Sequence, residues 1–200
     1  MNVGDKNSQN TRVYETNDYL PYHTDLSDVF GLICIRKAKT GGLTSLVSGG
    51  AVYNEMLKYH PEYLGLFYRS MPYAHLGDGI NRSPLFSYHD NKLTCRYLRK
   101  YIELEHENQG QPLSTVEVEA LDCFDRIIHR DDMRLDLMLE PGDMLFANNY
   151  AVMHSRTGFE DFDQPDQQRK LLRLWLKLAN ARRLDPDFPG QNGFPPPGQV

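Results

Sequence analysis

The sequence contains no run of about 18 apolar residues, so it offers no candidate membrane span. It has three cysteines, Cys34, Cys95 and Cys123, far apart and odd in number. That argues against a disulfide frame or a cysteine zinc site and reads as reduced thiols of a cytoplasmic protein. It has no excess of positive charge: 22 Lys and Arg stand against 27 Asp and Glu, a formal net charge of −5. No nucleic-acid partner held through its phosphates is expected. The opening residues "MNVGDKNSQNTR" are polar and hold no apolar signal-peptide core.

What is present suits one globular domain. The chain has 200 residues, 40 % of them hydrophobic, with 12 Tyr and 9 Phe for an aromatic core. Residues 1–18 form a polar N-terminal segment. Residues 19–182 form the body, with helices near 50–68 and 114–130. Residues 183–200 form a Pro/Gly-rich tail. In the body, "VFGLICIRKA" (29–38) reads as a buried strand, "KTGG" as a turn and "LTSLVS" (43–48) as a short strand. "AVYNEMLKYHPEYLGLFY" is helical, with Pro61 starting a second short helix. The stretch 70–112 is poorly patterned, apart from a hairpin turning at Asp90-Asn91. Ser114 and Glu117 form a capping box ahead of an amphipathic helix. Residues 133–139, 143–147 and 170–178 read as strands. Strands at both ends with helices between them predict a mainly β fold, a decorated sandwich or jelly roll.

In His23-Thr24-Asp25 the two outer residues point to one side of an extended backbone, so they can share a metal ion. His154 follows a turn and a strand, in "GDMLFANNYAVMHSRTGFED". Two histidines and one carboxylate on strands bind Fe(II) on one face and leave three positions open, suited to a bidentate 2-oxo acid and dioxygen. The far carboxylate of such a co-substrate needs a cationic anchor, for which an arginine fork suits best. Arg169 and Arg173 share a strand face after His154, and Thr44 can add a hydroxyl donor.

Plainer readings exist for each group. Taken alone, His23 and Asp25 fit a capped loop edge. Arg173 and Trp175 fit an outer face with a stacked cation. Asn148 and Asn149 fit a turn or hydrogen-bond partners rather than ligands. His60, His106 and His129 read as surface residues. Arg96, Arg99 and Lys100, interleaved with Tyr97 and Tyr101, read as a solvated basic face, with a substrate-anion contact as the alternative.

Three stretches carry a resemblance: "YHTDLSDVFGLICIRKAKTGGLTSLVSGGAVYNEM", "LEPGDMLFANNYAVMHSRTGFED" and "RKLLRLWLKL". In this order they resemble the taurine dioxygenase-like (TauD/TfdA) family of Fe(II)- and 2-oxoglutarate-dependent oxygenases, over about residues 17–180. The resemblance implies a double-stranded β-helix and iron ligands His23, Asp25 and His154. It implies Thr44 and Arg169 on the far carboxylate of 2-oxoglutarate, and Arg173 against co-substrate or substrate. The implied reaction is hydroxylation of a small organic molecule with release of succinate and CO2. A carboxylate at position 25 disfavours halogenation, and no residue match carries over a sulfonate substrate. Family members carry a longer portion before the His-x-Asp strand. A truncated, catalytically impaired β-helix domain that binds metal or a partner without turnover is therefore the alternative. Apolar sheet surface left bare on that side would suit a homo-oligomer.

Overall fold

The computed structural model describes residues 16–74, 81–186 and 188. Most of the predicted polar opening segment and of the Pro/Gly-rich tail, and His75, lie outside the described residues. The chain runs through β1 (Leu20–His23), β2 (Val29–Arg36), a two-residue β3 (Thr40–Gly41) and β4 (Thr44–Ser48). Ser48 then caps α1 (Gly49–Tyr59) by accepting the amide of Ala51. Pro61 opens α2 (Pro61–Phe67), where its missing N–H costs nothing.

Next come β5 (Met71–Tyr73), β6 (Asn81–Ser83), β7 (Phe86–His89) and β8 (Lys92–Cys95). The β7–β8 hairpin turns at Asp90 and Asn91, as expected; both have positive φ, 50° and 57°, as a tight two-residue turn demands. Two helices follow, α3 (Arg99–Asn108) and α4 (Thr115–Ile128). The capping box of Ser114 and Glu117 at the start of α4 is formed. The chain closes with β9 (Arg134–Leu137), β10 (Met144–Asn148), β11 (Val152–Arg156), β12 (Phe159–Glu160) and β13 (Lys170–Leu176).

Two antiparallel sheets make the body, one ordered β1-β11-β4-β9 and the other β10-β2-β13. They face each other: Phe30 of β2, wholly buried, stacks on the ring of His154 in β11, centroids 3.9 Å apart. This is the double-stranded β-helix core with helical insertions that the strand pattern and the resemblance imply. The insertions carry a core of their own. Phe67, Phe86 and Phe124 meet at 5.6–6.2 Å, and Tyr97 lies 4.6 Å from Phe124, the offset and edge-on contacts that aromatic rings prefer.

Period-2 alternation splits β2 cleanly. Phe30, Leu32 and Cys34 point inward, and Gly31, Ile33 and Ile35 outward with Met144, Phe146 and Leu172 of the flanking strands. Ile35, Met144, Phe146 and Leu172 are exposed, so the outer face of this sheet is apolar.

The basic cluster near residue 96 departs from its sequence reading. Arg96 is buried, its guanidinium 4.7 Å over the ring of Tyr73. Arg99 bonds Glu103, Asp122 and Asp125. A cation–π contact holds Arg96 and partly exposed ion pairs hold Arg99, and neither lines the cavity described below. Lys100 alone is exposed, as expected.

Candidate metal centre

Antiparallel pairing of β1 with β11 sets His23 directly opposite His154. Their rings lie 4.2 Å apart, centroid to centroid. Asp25, just past the end of β1, swings its carboxylate between them: Oδ1 lies 3.8 Å from Nε2 of His23, and Oδ2 lies 3.7 Å from Nε2 of His154. These spacings are too long for hydrogen bonds. The three residues form a group whose ligand atoms all lie within 4.8 Å of one another.

The donor chemistry fits a metal ion. Nδ1 of His23 lies 2.8 Å from the carbonyl oxygen of Pro21. A carbonyl only accepts, so the ring hydrogen sits on Nδ1 and the lone pair on Nε2 faces Asp25. Oδ2 of Asp25 is buried with no hydrogen-bond partner. A buried carboxylate oxygen left bare is costly unless a cation completes it. Burial lowers the pKa of His23 and holds that of His154 well below the ordinary histidine value. Both rings are therefore kept neutral, the form that ligates metal.

Asparagines at the β10–β11 turn hold this corner. Asn148 Oδ1 accepts the amide of Tyr150 and shapes the turn. Asn149 accepts the amide of Asp25 at 3.2 Å and donates to the carbonyl and hydroxyl oxygens of Ser27 at 3.0 and 2.7 Å. Both match the turn and hydrogen-bonding roles read from the sequence.

A cavity of about 340 Å³ opens beside the histidines, lined by His23, His154, Thr44, Arg156, Arg169 and Arg173 among others. Thr44 is buried on β4, opposite Arg156 of β11. Arg169 forms no ion pair among the described residues, and burial lowers its pKa. Its guanidinium lies 5.0 Å over the ring of Phe159. The sequence-predicted anchor residues are thus brought to one cavity.

Arg173 reaches the same cavity but is engaged. It donates to Oδ1 of Asp25 at 2.5 Å and lies 4.6 Å over the ring of Trp175. The stacked cation of the plainer reading is present, but Arg173 lies on the cavity and not on an outer face. Arg156 is the residue that sequence reading passed over. It stacks 4.8 Å over Phe159, donates to the carbonyl oxygens of Thr16 and Asp18, and leaves its Nε buried and unpartnered. Burial and neighbouring Arg169 bring its pKa down to about 10. The signal was available: His154 and Arg156 are two apart on one strand and must share a face.

Comparison with known proteins shows the family and the fold. The chain is 35 % identical over 190 residues to FR-33289 synthase of Streptomyces rubellomurinus, covering 90 % of this chain and 56 % of that one. It is 30 % identical over 178 residues to a uridine-5'-phosphate dioxygenase of a Streptomyces species, covering 80 % and 62 %. The chain thus spans little more than half the length of these relatives. Among solved structures, asparagine oxygenase in complex with Fe(II), 2S,3S-3-hydroxyasparagine and succinate superposes with a TM-score of 0.67 at 17 % identity. That match covers 88 % of this chain and 55 % of the other, and shows a common fold. Residues 2–175 match the family described as taurine catabolism dioxygenase TauD, TfdA family, and the chain belongs to that family.

Proposed function

We propose that the chain is an Fe(II)- and 2-oxoglutarate-dependent dioxygenase that hydroxylates a small organic molecule, releasing succinate and CO2. The observation that carries this reading is the convergence of His23, Asp25 and His154 beside a cavity that also holds Arg169 and Thr44. Family membership supports it, and a solved relative, the oxygenase OrfP, holds Fe and alpha-ketoglutaric acid.

His23, Asp25 and His154 would hold the iron, which when bound supplies the activation of dioxygen and of the 2-oxo acid. Arg169 and Thr44 bind the far carboxylate of 2-oxoglutarate and so orient its 2-oxo end toward the histidines. Leu32 lines the cavity and buried Phe30 backs the ring of His154, apolar groups that keep water from the reacting centre. The net charge of −5 supports a small-molecule substrate over nucleic acid. No helix among the described residues is long and apolar enough to cross a membrane. Three buried, unpaired cysteines support a reducing cytoplasmic location.

The test is succinate release in the presence of Fe(II), 2-oxoglutarate and dioxygen, even without a prime substrate. A chain that binds iron yet never consumes 2-oxoglutarate overturns the reading. His154→Ala is expected to abolish iron binding; retained Fe(II) affinity in that variant contradicts the ligand assignment.

A further inference from the structure

The two oxygens of the Asp25 carboxylate have different surroundings. Oδ1 accepts Nη2 of Arg173 at 2.5 Å. Oδ2 is buried, has no hydrogen-bond donor and lies 3.7 Å from Nε2 of His154. The Asp25 side chain is 4 % exposed, so water does not even out this asymmetry.

We propose that Arg173 is a positioning residue that commits Asp25 to ligate metal through one oxygen, Oδ2. This rests on the metal centre proposed above and assigns Arg173 a task other than binding a co-substrate or substrate anion. A free carboxylate turns about its last torsion with little resistance and can clasp a cation with both oxygens. A charge-assisted bond to Oδ1 opposes both the turn and the clasp, because either would strip the guanidinium of its acceptor. The consequence is chemical. With one oxygen of Asp25 and two imidazole nitrogens, three of six positions stay open. With both oxygens, only two would, too few for a bidentate 2-oxo acid and dioxygen together.

The positioning group is itself positioned. Arg173 sits on β13 opposite Leu32 of β2, the central strand of its sheet. Its guanidinium lies 4.6 Å over the ring of Trp175, two residues along the same face. The backbone of Asp25 is tied by Asn149. The carboxylate is thus gripped at its main chain and at one oxygen. The pairing also compensates a buried negative charge before any metal arrives, so the site can form ahead of the ion.

The experiment titrates the metal-free full chain with Co(II) alone, reading affinity by calorimetry and coordination by the visible absorption of Co(II). Wild type, Arg173→Gln, Arg173→Lys and His154→Ala are compared, each checked for folding by its melting curve. Arg173→Gln is expected to weaken Co(II) about 10–100-fold, the usual effect of losing a group that orients a metal ligand, and to change the Co(II) spectrum. Arg173→Lys keeps a charged donor to Oδ1 and is expected to recover part of the affinity and the wild-type band shape. Arg173→Gln with wild-type or tighter affinity and an unchanged spectrum overturns the proposal. If Arg173→Gln fails to fold, Arg173→Lys decides. A spectrum unlike that of the wild type, or affinity lost to the level of His154→Ala, counts against an orienting donor. Wild type that binds no Co(II) removes the metal centre itself, an outcome distinct from failure of Arg173 alone.

Discussion

The side-chain oxygen of Asn149 accepts the backbone amide of Asp25 at 3.2 Å, joining the His-x-Asp corner to the turn that leads into β11. The same side chain donates two bonds to Ser27, and all of these atoms are buried. Asn149→Ala leaves the amide of Asp25 and the carbonyl of Ser27 without partners. The expected loss is on the order of 2–3 kcal/mol of stability, measured by urea denaturation, together with weaker metal binding.

Phe30 is a second support of the centre. It is fully buried and stacks on His154 with planes 21° apart. Phe30→Ala removes the contact between the two sheets at the site and leaves a cavity. A cost of about 3–5 kcal/mol is expected, along with a lower melting temperature and a His154 ring no longer held in place. Phe30→Leu, which keeps most of the volume, should retain more of both.

Gly42 separates backbone strain from anchor geometry. Its φ is +77°, and a Cβ there would lie 3.1 Å from Nε of Arg169. Gly142 has φ +98° with open space around it. Alanine at either position costs about 1–3 kcal/mol through backbone strain. Only Gly42→Ala also pushes on Arg169, so it alone should weaken 2-oxoglutarate. Calorimetric titration of the metal-loaded variants checks the difference; equal weakening by both would contradict it.

Burial lowers the pKa of both His23 and His154; Arg173 adds to this at both, while Asp25 opposes it at His23, where Arg156 also lowers it. In the unfolded chain both rings titrate near the ordinary histidine value of about 6.5. Below that pH the unfolded state takes up protons that the folded state refuses. The metal-free protein is therefore expected to lose stability as pH falls through about 6.5 and to change little, through these groups, above it. Denaturation midpoints at a series of pH values test this, and the dependence should flatten in His154→Phe.

Much of the local structure was legible in the chain. The capping box at Ser114, the turn at Asp90-Asn91 and the strands near 29–38 and 170–178 each rest on neighbours in sequence. The helix α3 was not legible. It lacks a side-chain cap at Leu98, and only Ile102 and Glu105 on it are buried, so few apolar residues mark it among its charges. The burial of Arg96 was hidden because its partner Tyr73 lies on another element. Arg156 was within reach, two residues from His154 on one strand; only its acceptors, Thr16 and Asp18, lie across the fold.

The sequence by itself singled out the candidate ligands His23, Asp25 and His154, because ligand type and period-2 spacing are local properties of a strand. Tertiary structure decided how they are used. The strand register that sets His23 against His154 depends on pairing between distant segments, which no local pattern encodes. Arg173, an anion anchor by its place in the sequence, is bonded to Asp25. A buried carboxylate must find a counter-charge, and the packing of β13 against β2 brings this one within reach.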